Sequence, residues 1–383
     1  MRLSPTLSSQ ATYPFLRLEQ AKRAALQAGV PIIDFGQGDP RQPAPALVRE
    51  ALVAGLAQTM GYPKTEGLPE LREAIAAWLE RRFRVRLDPA REIIPTLGSK
   101  EAIFTFASVV LDPESGKDTV VVCDPAYPVY ERGALFAGAR VVRLPLREEN
   151  AFLPDLEELD PATLSRVALV WVNYPNNPTA SVCPLAFYER LTELAREYDF
   201  LVCSDEAYSE IWFREPPPSA LQARDRSRVV VFNTLSKRSS MTGYRAGFVA
   251  GPAWVIDGLR RFRPAVGTAP QEFVQRAAIA AWGDEAHVEE ARVAYARKRE
   301  VLLSALSRAG YRVAGAEATM YLWVEVPGRG SSEQAAHRFL KRGIVVAPGS
   351  YLGRAGEGYM RLALVPTLEE CERAASLLEK GGL

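Results

Sequence analysis

Histidine is scarce in this chain of 383 residues, which contains only His287 and His337. Both lie in charge-rich stretches whose pattern predicts helices, without cysteine or carboxylate at the spacing of a metal site. The sequence therefore predicts no metal and gives little support to a histidine-containing catalytic triad. An enzyme made from this chain must take its acid–base group from lysine, tyrosine or a cofactor.

An excess of charge of either sign is also missing. Lysine and arginine number 47, and aspartate and glutamate 46, which leaves a formal net charge of +1. Without a basic field, neither nucleic acid nor an anionic membrane surface is an expected partner. No window approaches the roughly 18 uninterrupted apolar residues of a membrane span, and the start MRLSPTLSSQ lacks the features of a secretion signal.

Cysteine is rare and widely scattered. Two of the four cysteines lie in apolar runs typical of strands, where a reduced thiol packs as a small hydrophobe. Together with the lack of a secretion signal, this usage predicts a cytoplasmic protein. The four are Cys123, Cys183, Cys203 and Cys371.

The length exceeds the roughly 250–300 residues that one hydrophobic core usually serves, so two domains are expected. From about Ala44, short β-branched runs alternate with helical stretches such as Pro184–Tyr198. This alternation predicts an α/β domain with a mainly parallel central sheet. Its predicted strands are Thr119–Cys123, Arg140–Leu144, Val167–Asn173, Phe200–Asp205 and Val229–Asn233.

The pattern changes after a long charged helix predicted over Glu285–Arg308. The elements beyond it form a smaller α+β module. We therefore place the large domain at residues 41–284, and the small domain at residues 1–40 together with 285–383. The predicted elements of the module are Tyr311–Val313, Tyr321–Val326, Ser332–Arg342, Ile344–Val346, Tyr359–Leu364 and a helix from Leu368.

Polar motifs follow the predicted strands of the large domain. In open α/β sheets ligands bind at the carboxyl ends of the strands, so these motifs are expected to meet at one edge. An acid, a tyrosine, a lysine and an arginine would be delivered there together. The motifs are Asn173–Thr179, Asp205–Tyr208, Asn233–Lys237 and Met241–Gly247, the last leading into another strand.

In this order the motifs resemble those of the pyridoxal-phosphate-dependent aminotransferases of fold type I, class I/II, nearly from end to end. The family's N-x-P-x-N-P-T and S-D-E-x-Y are followed by Thr234-Leu235-Ser236-Lys237, with Arg245 eight residues after the lysine. Each motif alone is weak, but together they are specific. The resemblance implies pyridoxal 5'-phosphate, an amino acid and a 2-oxo acid as substrates, and a homodimer with shared active sites.

The resemblance assigns catalytic roles to Lys237, Asp205 and Tyr208. Lys237 would attach the cofactor and carry the α-proton, with a solvated surface lysine as the alternative. Asp205 ends an apolar strand and would pair with the protonated pyridine nitrogen, unless it only caps the next turn. Tyr208 and Asn177 would hydrogen-bond the phenolic oxygen of the ring, although an asparagine before Pro178 is also ordinary turn chemistry.

A phosphate group needs donors near a helix amino terminus, and Gly98-Ser99-Lys100 lies between a predicted strand and a predicted helix. In the resembling family this turn holds the cofactor phosphate. Arg245 suits the same role because a guanidinium donates bidentately. The resemblance adds Thr234 and Ser236 from the same chain, and Tyr62 and Thr268 for the site of the neighbouring subunit.

Three further residues are expected around the cofactor and the substrate. Tyr127 aligns with the aromatic residue that stacks on the cofactor ring, and a packed core tyrosine is the alternative. Arg361, on an apolar strand, would bind the substrate α-carboxylate, and a structural ion pair is the alternative. Gly38 lies in Gln37-Gly38-Asp39-Pro40, which departs from the common G-E-P form, near the expected substrate entrance.

Several segments look closer to the N-succinyldiaminopimelate aminotransferases than to aspartate or aromatic aminotransferases, and others are shared with the LL-diaminopimelate aminotransferases. We therefore expect N-succinyl-LL-2,6-diaminopimelate and 2-oxoglutarate as the substrate pair. LL-diaminopimelate, or a broader aspartate or aromatic specificity, is the alternative. The segments include Tyr13–Phe15, Ser204–Ile211, Leu235–Ser240 and Gly356–Tyr359 on the succinyl side, and Tyr174–Thr179 on the other.

Other functions stay open. A carbon–sulfur β-lyase uses the same cofactor scaffold and also binds an α-carboxylate. A regulator built on this fold would need a basic DNA-binding module, for which the predicted domains leave no room. A succinylated substrate would need extra cations at the entrance, for which the candidates are Arg17, Lys64, Arg238 and Arg263. For most of them the alternative is a solvated surface charge.

Overall fold

A computed structural model describes residues 1–10 and 15–379, in which helices and strands alternate. The helices are α1 (Pro5–Ser9), α2 (Phe15–Gln27), α3 (Ala46–Ala54), α4 (Pro69–Phe83), α5 (Ser99–Val110), α6 (Val129–Phe136), α7 (Pro161–Arg166), α8 (Leu185–Tyr198), α9 (Leu235–Arg238), α10 (Ala253–Val266), α11 (Glu272–Gly283), α12 (Ala286–Arg308), α13 (Ser332–Lys341) and α14 (Leu368–Glu379). Among the described residues, no helix has both the length and the apolar composition needed to cross a membrane.

The strands form three sheets. They are β1 (Ile33–Asp34), β2 (Ile93–Thr96), β3 (Thr119–Asp124), β4 (Arg140–Pro145), β5 (Val167–Asn173), β6 (Leu201–Asp205), β7 (Val229–Thr234), β8 (Gly247–Ala250), β9 (Val313–Gly315), β10 (Tyr321–Glu325), β11 (Ile344–Val345), β12 (Ala347–Pro348) and β13 (Tyr359–Ala363). The largest sheet has the order β2-β8-β7-β6-β5-β3-β4. Only β8 runs antiparallel to its neighbours in this described sheet, so the predicted mainly parallel α/β sheet is confirmed.

Side chains of the central strands alternate between two buried cores. Val121 and Val170 pack on one face of the sheet with Trp78, whereas Val120 and Trp171 pack on the other. Because successive residues of a strand point to opposite faces, a sheet covered on both sides requires apolar residues at every position. This requirement produces the continuous apolar runs from which the strands were predicted.

A four-stranded antiparallel sheet, in the order β12-β13-β10-β9, forms the smaller α+β layer. Its core joins α12, α13 and α14 to β10 and β13. The strand predicted at Tyr311–Val313 begins two residues later, at Val313. The four-stranded sheet brings Tyr321 and Arg361 towards the large sheet.

The amino-terminal segment lies beside the carboxyl-terminal module, because β1 pairs in parallel with β11. This pairing supports grouping residues 1–40 with residues 285–383, and the domain bounds themselves stay a prediction. The segment that follows β1 carries Gly38 to the carboxyl ends of the large-sheet strands. Tyr13 and Pro14, which contributed to the resemblance, lie outside the described residues.

Candidate active site

A cavity of about 550 Å³ opens where the carboxyl ends of β5, β6 and β7 face the smaller sheet. Every residue predicted for the cofactor and the substrate α-carboxylate lines it except Gly98 and the two residues predicted for the neighbouring subunit's site, Tyr62 and Thr268. The structure therefore brings the predicted residues together, while their individual roles stay predictions. Those that line the cavity are Gly38, Ser99, Lys100, Tyr127, Asn177, Asp205, Tyr208, Thr234, Ser236, Lys237, Arg245 and Arg361.

Lys237 is presented to the cavity by the short helix α9. The Thr234 side chain caps this helix by accepting a hydrogen bond of 3.1 Å from the backbone nitrogen of Ser236. The Lys237 amine donates to the carbonyl oxygen of Gly38 at 2.5 Å. Burial lowers the pKa of Lys237 below its ordinary value, which favours the neutral amine. This placement argues against a solvated surface lysine.

Asp205 is a buried acid at the carboxyl end of β6. Its Oδ2 accepts a hydrogen bond of 2.7 Å from the Tyr130 hydroxyl, and its Oδ1 accepts one of 3.2 Å from the nitrogen of Ala207. Burial raises the pKa of Asp205 to about 6. The contact with Ala207 shows that Asp205 does cap the next turn, but among the described residues no cation pairs with it. A protonated ring nitrogen in the cavity would fit as that cation.

Arg361 is a buried cation on β13 that lines the same cavity as Asp205. It donates to Asn177 Oδ1 at 2.8 Å and to the carbonyl oxygen of Gly36 at 3.0 Å. Its guanidinium lies 4.3 Å from the ring centre of Tyr321. Within the described parts of the chain no carboxylate pairs with Arg361, and its Nε has no partner. The alternative of a structural ion pair is therefore not supported, and a ligand carboxylate fits.

The turn before α5 forms a concave surface with Arg245. Gly98 has a positive φ of 70°, and a Cβ there would lie 2.5 Å from Nη2 of Arg245. Arg245 donates to the carbonyl oxygens of Thr242 at 2.8 Å and of Leu97 at 3.1 Å. Gly98 therefore contributes to the site through its backbone, without lining the cavity. Helix-terminal amides beside a guanidinium suit a phosphate group.

The donors and acceptors of this cavity fit pyridoxal 5'-phosphate. The amine of Lys237 can attach an aldehyde, and Asp205 can pair with a pyridinium nitrogen. Gly98, Ser99 and Arg245 offer an anion site beside these groups. The amine, the carboxylate and the anion site therefore match the aldehyde, the ring nitrogen and the phosphate of one cofactor.

Aromatic side chains complete the lining. Tyr127 is half-buried and faces the cavity, which favours a stacking role over a packed core position. The hydroxyl groups of Tyr208 and Tyr321 lie 3.1 Å apart. A Cβ at Gly38 would lie 2.0 Å from the Tyr321 hydroxyl oxygen, so a larger residue at this position would displace the Tyr321 ring.

Sequence reasoning missed several residues of the cavity, among them Phe15, Tyr130 and Tyr321. Tyr130 lies three residues after Tyr127 at the start of α6, but no spacing indicates that its hydroxyl reaches Asp205. Phe15 and Tyr321 belong to segments far from the motifs. Only the tertiary fold shows that these three residues line the cavity.

The four candidates for distal recognition do not line the cavity. Arg238 is buried against the large domain and donates to the carbonyl oxygen of Ala281 at 2.7 Å. Arg263 pairs with Glu101 at 2.5 Å and is also buried. The expectation that these two arginines face the entrance is wrong, because both satisfy internal acceptors. Arg17 and Lys64 lie outside the cavity.

Comparisons with known proteins agree with this geometry. The sequence profile of the family described as aminotransferase class I and II matches residues 30–378. The LL-diaminopimelate aminotransferase of Aquifex aeolicus (strain VF5) is 40% identical over 375 residues, which cover 95% of this chain and 96% of that protein. The LL-diaminopimelate aminotransferase 2 of Nostoc sp. (strain PCC 7120) is 38% identical over 391 residues, with 100% and 99% covered.

A solved structure with a similar fold is that of a probable N-succinyldiaminopimelate aminotransferase from Thermus thermophilus. It matches with a TM-score of 0.89 and 31% identity, covering 96% of this chain and 99% of that one. The fold expected from the motifs is therefore that of a solved structure, which the chain matches over nearly its whole length.

Proposed function

The chain belongs to the class I and II aminotransferases and is a pyridoxal-phosphate-dependent enzyme, and we propose that it moves an amino group between LL-diaminopimelate and 2-oxoglutarate. Both relatives named above are LL-diaminopimelate aminotransferases, and this chain matches each of them over nearly its whole length. They favour the alternative substrate of the sequence analysis over the succinylated one. In a ping-pong cycle, glutamate would be the amino acid of the second half-reaction.

The observation that carries the proposal is the unpaired Arg361 in the cavity of Lys237. A buried guanidinium that no carboxylate neutralises in the described chain is a binding site for the α-carboxylate of an amino acid. Asn177, which accepts from Arg361 at 2.8 Å, fixes the orientation of the guanidinium. The substrate α-carbon is thereby held near the amine of Lys237.

Lys237 then moves the proton of the substrate. The cofactor, when bound, supplies an electron sink for the α-carbon. Burial lowers the pKa of Lys237, which favours the neutral amine that an acceptor of the substrate α-proton needs. Asp205 would pair with the ring nitrogen of the cofactor and favour its protonated form, and Tyr208 offers a hydroxyl in the same cavity.

The residues that line the cavity also indicate which distal group of the substrate can bind. A succinyl group converts the distal ammonium of diaminopimelate to a neutral amide and adds one carboxylate, which the candidate cations Arg238 and Arg263 cannot bind because they are buried elsewhere. Free diaminopimelate carries an ammonium beside its distal carboxylate, so its distal end has no net charge and needs fewer cations than the succinylated compound. The acid Asp39, which lines the cavity, is compatible with such an ammonium.

Steady-state kinetics with a panel of donors test the proposal. We expect LL-diaminopimelate with 2-oxoglutarate to give the highest kcat/KM, ahead of N-succinyl-LL-diaminopimelate, aspartate and aromatic amino acids. A clear preference for the succinylated donor would restore the expectation from the motifs. Pyruvate and ammonia from cystathionine, without amino transfer, would instead favour a β-lyase.

We also propose a homodimer in which each subunit completes the site of the other. Tyr62 lies outside the cavity with a relative exposure of 103%, and the nearby Leu56 and Met60 are exposed apolar residues. Such a patch is typical of an interface. The partner subunit would bury it and bring a tyrosine hydroxyl to the cofactor phosphate.

Mixed dimers test this arrangement. Lys237→Ala and Tyr62→Phe each impair every site of their own homodimer, but a hybrid has one site with both native residues. Refolding the two variants together should restore activity, to about a quarter of the native rate at statistical mixing. No recovery, or sedimentation of an active monomer, would contradict shared sites.

A further inference from the structure

The buried side chain of Tyr130 has no part in the roles described so far. Its hydroxyl donates to Oδ2 of Asp205 at 2.7 Å, and both side chains are buried. We propose that Tyr130 is a positioning residue that keeps the Asp205 carboxylate charged and aimed at the nitrogen of the cofactor ring. The inference rests on the cofactor role proposed for Asp205 and is independent of the substrate.

The ring of Tyr130 is fixed from two sides. It stacks on Trp171 with the ring centres 5.1 Å apart and the planes at 18°. Tyr127 packs edge-on against it at 5.8 Å and 82°. Because the ring is held by packing, the hydroxyl reaches Asp205 without a further loss of side-chain freedom. A phenylalanine in this position would keep both ring contacts and lose only the hydroxyl.

The Tyr130 hydroxyl is a donor over the whole working range of pH. Burial and the neighbouring Asp205 raise the pKa of Tyr130 well above its ordinary value, so the phenol stays protonated. Its hydrogen bond opposes the effect of burial, which raises the pKa of Asp205 to about 6. Without that bond, the pKa of the carboxyl would rise further and more of it would be protonated at neutral pH.

Few other groups act on Asp205. The nitrogen of Ala207 donates to Oδ1, and the side chain of Asn173 donates to the backbone carbonyl of Asp205. Tyr208, from the turn after β6, is the other titratable group near it, while Lys237 of α9 and Arg361 of β13 share the cavity. In the described residues no cation pairs with this carboxylate. The 2.7 Å bond from Tyr130 is thus the shortest contact that stabilises its charge.

Titration of the apoenzyme with pyridoxal 5'-phosphate, without substrate, tests the role. For Tyr130→Phe we expect binding about tenfold weaker near neutral pH, because a hydrogen bond to a charged group is lost. The pH below which affinity falls should also move up by about one unit. Tyr188→Phe is the matched control, since it removes another buried hydroxyl, 3.2 Å from Ser204 Oγ and outside the cavity.

The variant Asp205→Asn separates the role of Tyr130 from that of the carboxylate. If the carboxylate binds the ring nitrogen, Asp205→Asn weakens cofactor binding and removes the pH dependence, and adding Tyr130→Phe changes affinity by less than about twofold. Should Tyr130→Phe match Tyr188→Phe while Asp205→Asn weakens binding, the role of Tyr130 is wrong and that of Asp205 stands. Native affinity in Asp205→Asn would overturn both.

Discussion

Two buried charges of opposite sign face the same cavity, and at the scale of single residues they explain most of its chemistry. Asp205 accepts hydrogen bonds from Tyr130 and Ala207, while Arg361 donates to Asn177 and Gly36. In the part of the chain that the structure describes, neither has an ionic partner. A buried charge without a counter-ion destabilises the fold, so ligands account for both better than stability does.

Replacing Arg361 with lysine keeps the charge and removes the planar two-point contact. We expect kcat/KM for amino acid donors to fall about ten- to a hundredfold, mainly through a higher KM. Steady-state kinetics measure the change, with the exposed Arg329→Lys as control. An amine substrate without an α-carboxylate should react equally with native enzyme and Arg361→Lys. A similar loss with both substrates would contradict carboxylate binding.

Motif residues of the site could be predicted because they lie at the carboxyl end of a strand or just after it in the sequence. Lys237 and Asp205 are examples, and both line the cavity. Tyr321 could not be predicted, since the smaller sheet brings its hydroxyl to that of Tyr208. The prediction that Arg238 faces the entrance was wrong because its guanidinium lies over the ring of Trp282, 5.2 Å from the ring centre, a tertiary contact that the sequence does not indicate.

At the scale of elements, the anion site depends on how β2 gives way to α5. The chain turns at Gly98, in a conformation with positive φ that leaves room for Arg245. The first turn of α5 follows, and its residues Ser99 and Lys100 line the cavity at the positive end of the helix dipole. The turn at Gly98, the start of α5 and the Arg245 guanidinium form one surface. A side chain added at Gly98 would therefore displace the guanidinium.

Gly98→Ala tests this coupling. The added Cβ would lie 2.5 Å from Nη2 of Arg245, so we expect affinity for pyridoxal 5'-phosphate to fall by about tenfold or more. Equilibrium titration of the apoenzyme measures it. Gly116→Ala is the matched control, because Gly116 also has a positive φ, of 87°, but no atom within 4 Å of the added Cβ. Pyridoxal without its phosphate should lose much less, and equal losses for both ligands would contradict a phosphate site.

Long, regular elements were predictable and short paired ones were not. The central strands could be recognised because both faces are buried. By contrast, β1 has two residues and is defined only by pairing with β11. β9 starts two residues later than predicted and has only three residues, and its pairing with β10 shifts register between Trp323 and Val324.

For the whole molecule, the site is a junction of three parts of the chain. The amino-terminal segment supplies Gly38, the large sheet supplies Asp205 and Lys237, and the smaller sheet supplies Arg361. The hydrogen bond from Lys237 to Gly38 crosses the first of these boundaries. The positions of the site residues therefore depend on the packing of these three parts against one another, and this packing also determines the stability of the fold.

A second buried acid, Glu206, links that stability to pH. Its Oε1 accepts hydrogen bonds from Ser204, Ser219 and the nitrogen of Ala220, whereas Oε2 has no partner among the described residues. Burial raises the pKa of Glu206 to about 7. The folded chain thus holds this proton more tightly than the unfolded chain. The resulting stabilisation is present in acid and is lost as the pH rises through about 7.

Glu206→Gln removes this titration while keeping an acceptor for the same three donors. The free energy of unfolding of the variant, relative to the native apoenzyme, should rise with pH between about 5 and 7, by at most about 1.4 kcal/mol per pH unit. Urea unfolding at several pH values measures this difference, and Glu290→Gln on the exposed surface of α12 should show no such trend. If the difference for Glu206→Gln did not depend on pH, Glu206 would have the same pKa in the folded and unfolded chains, and burial would not control its protonation.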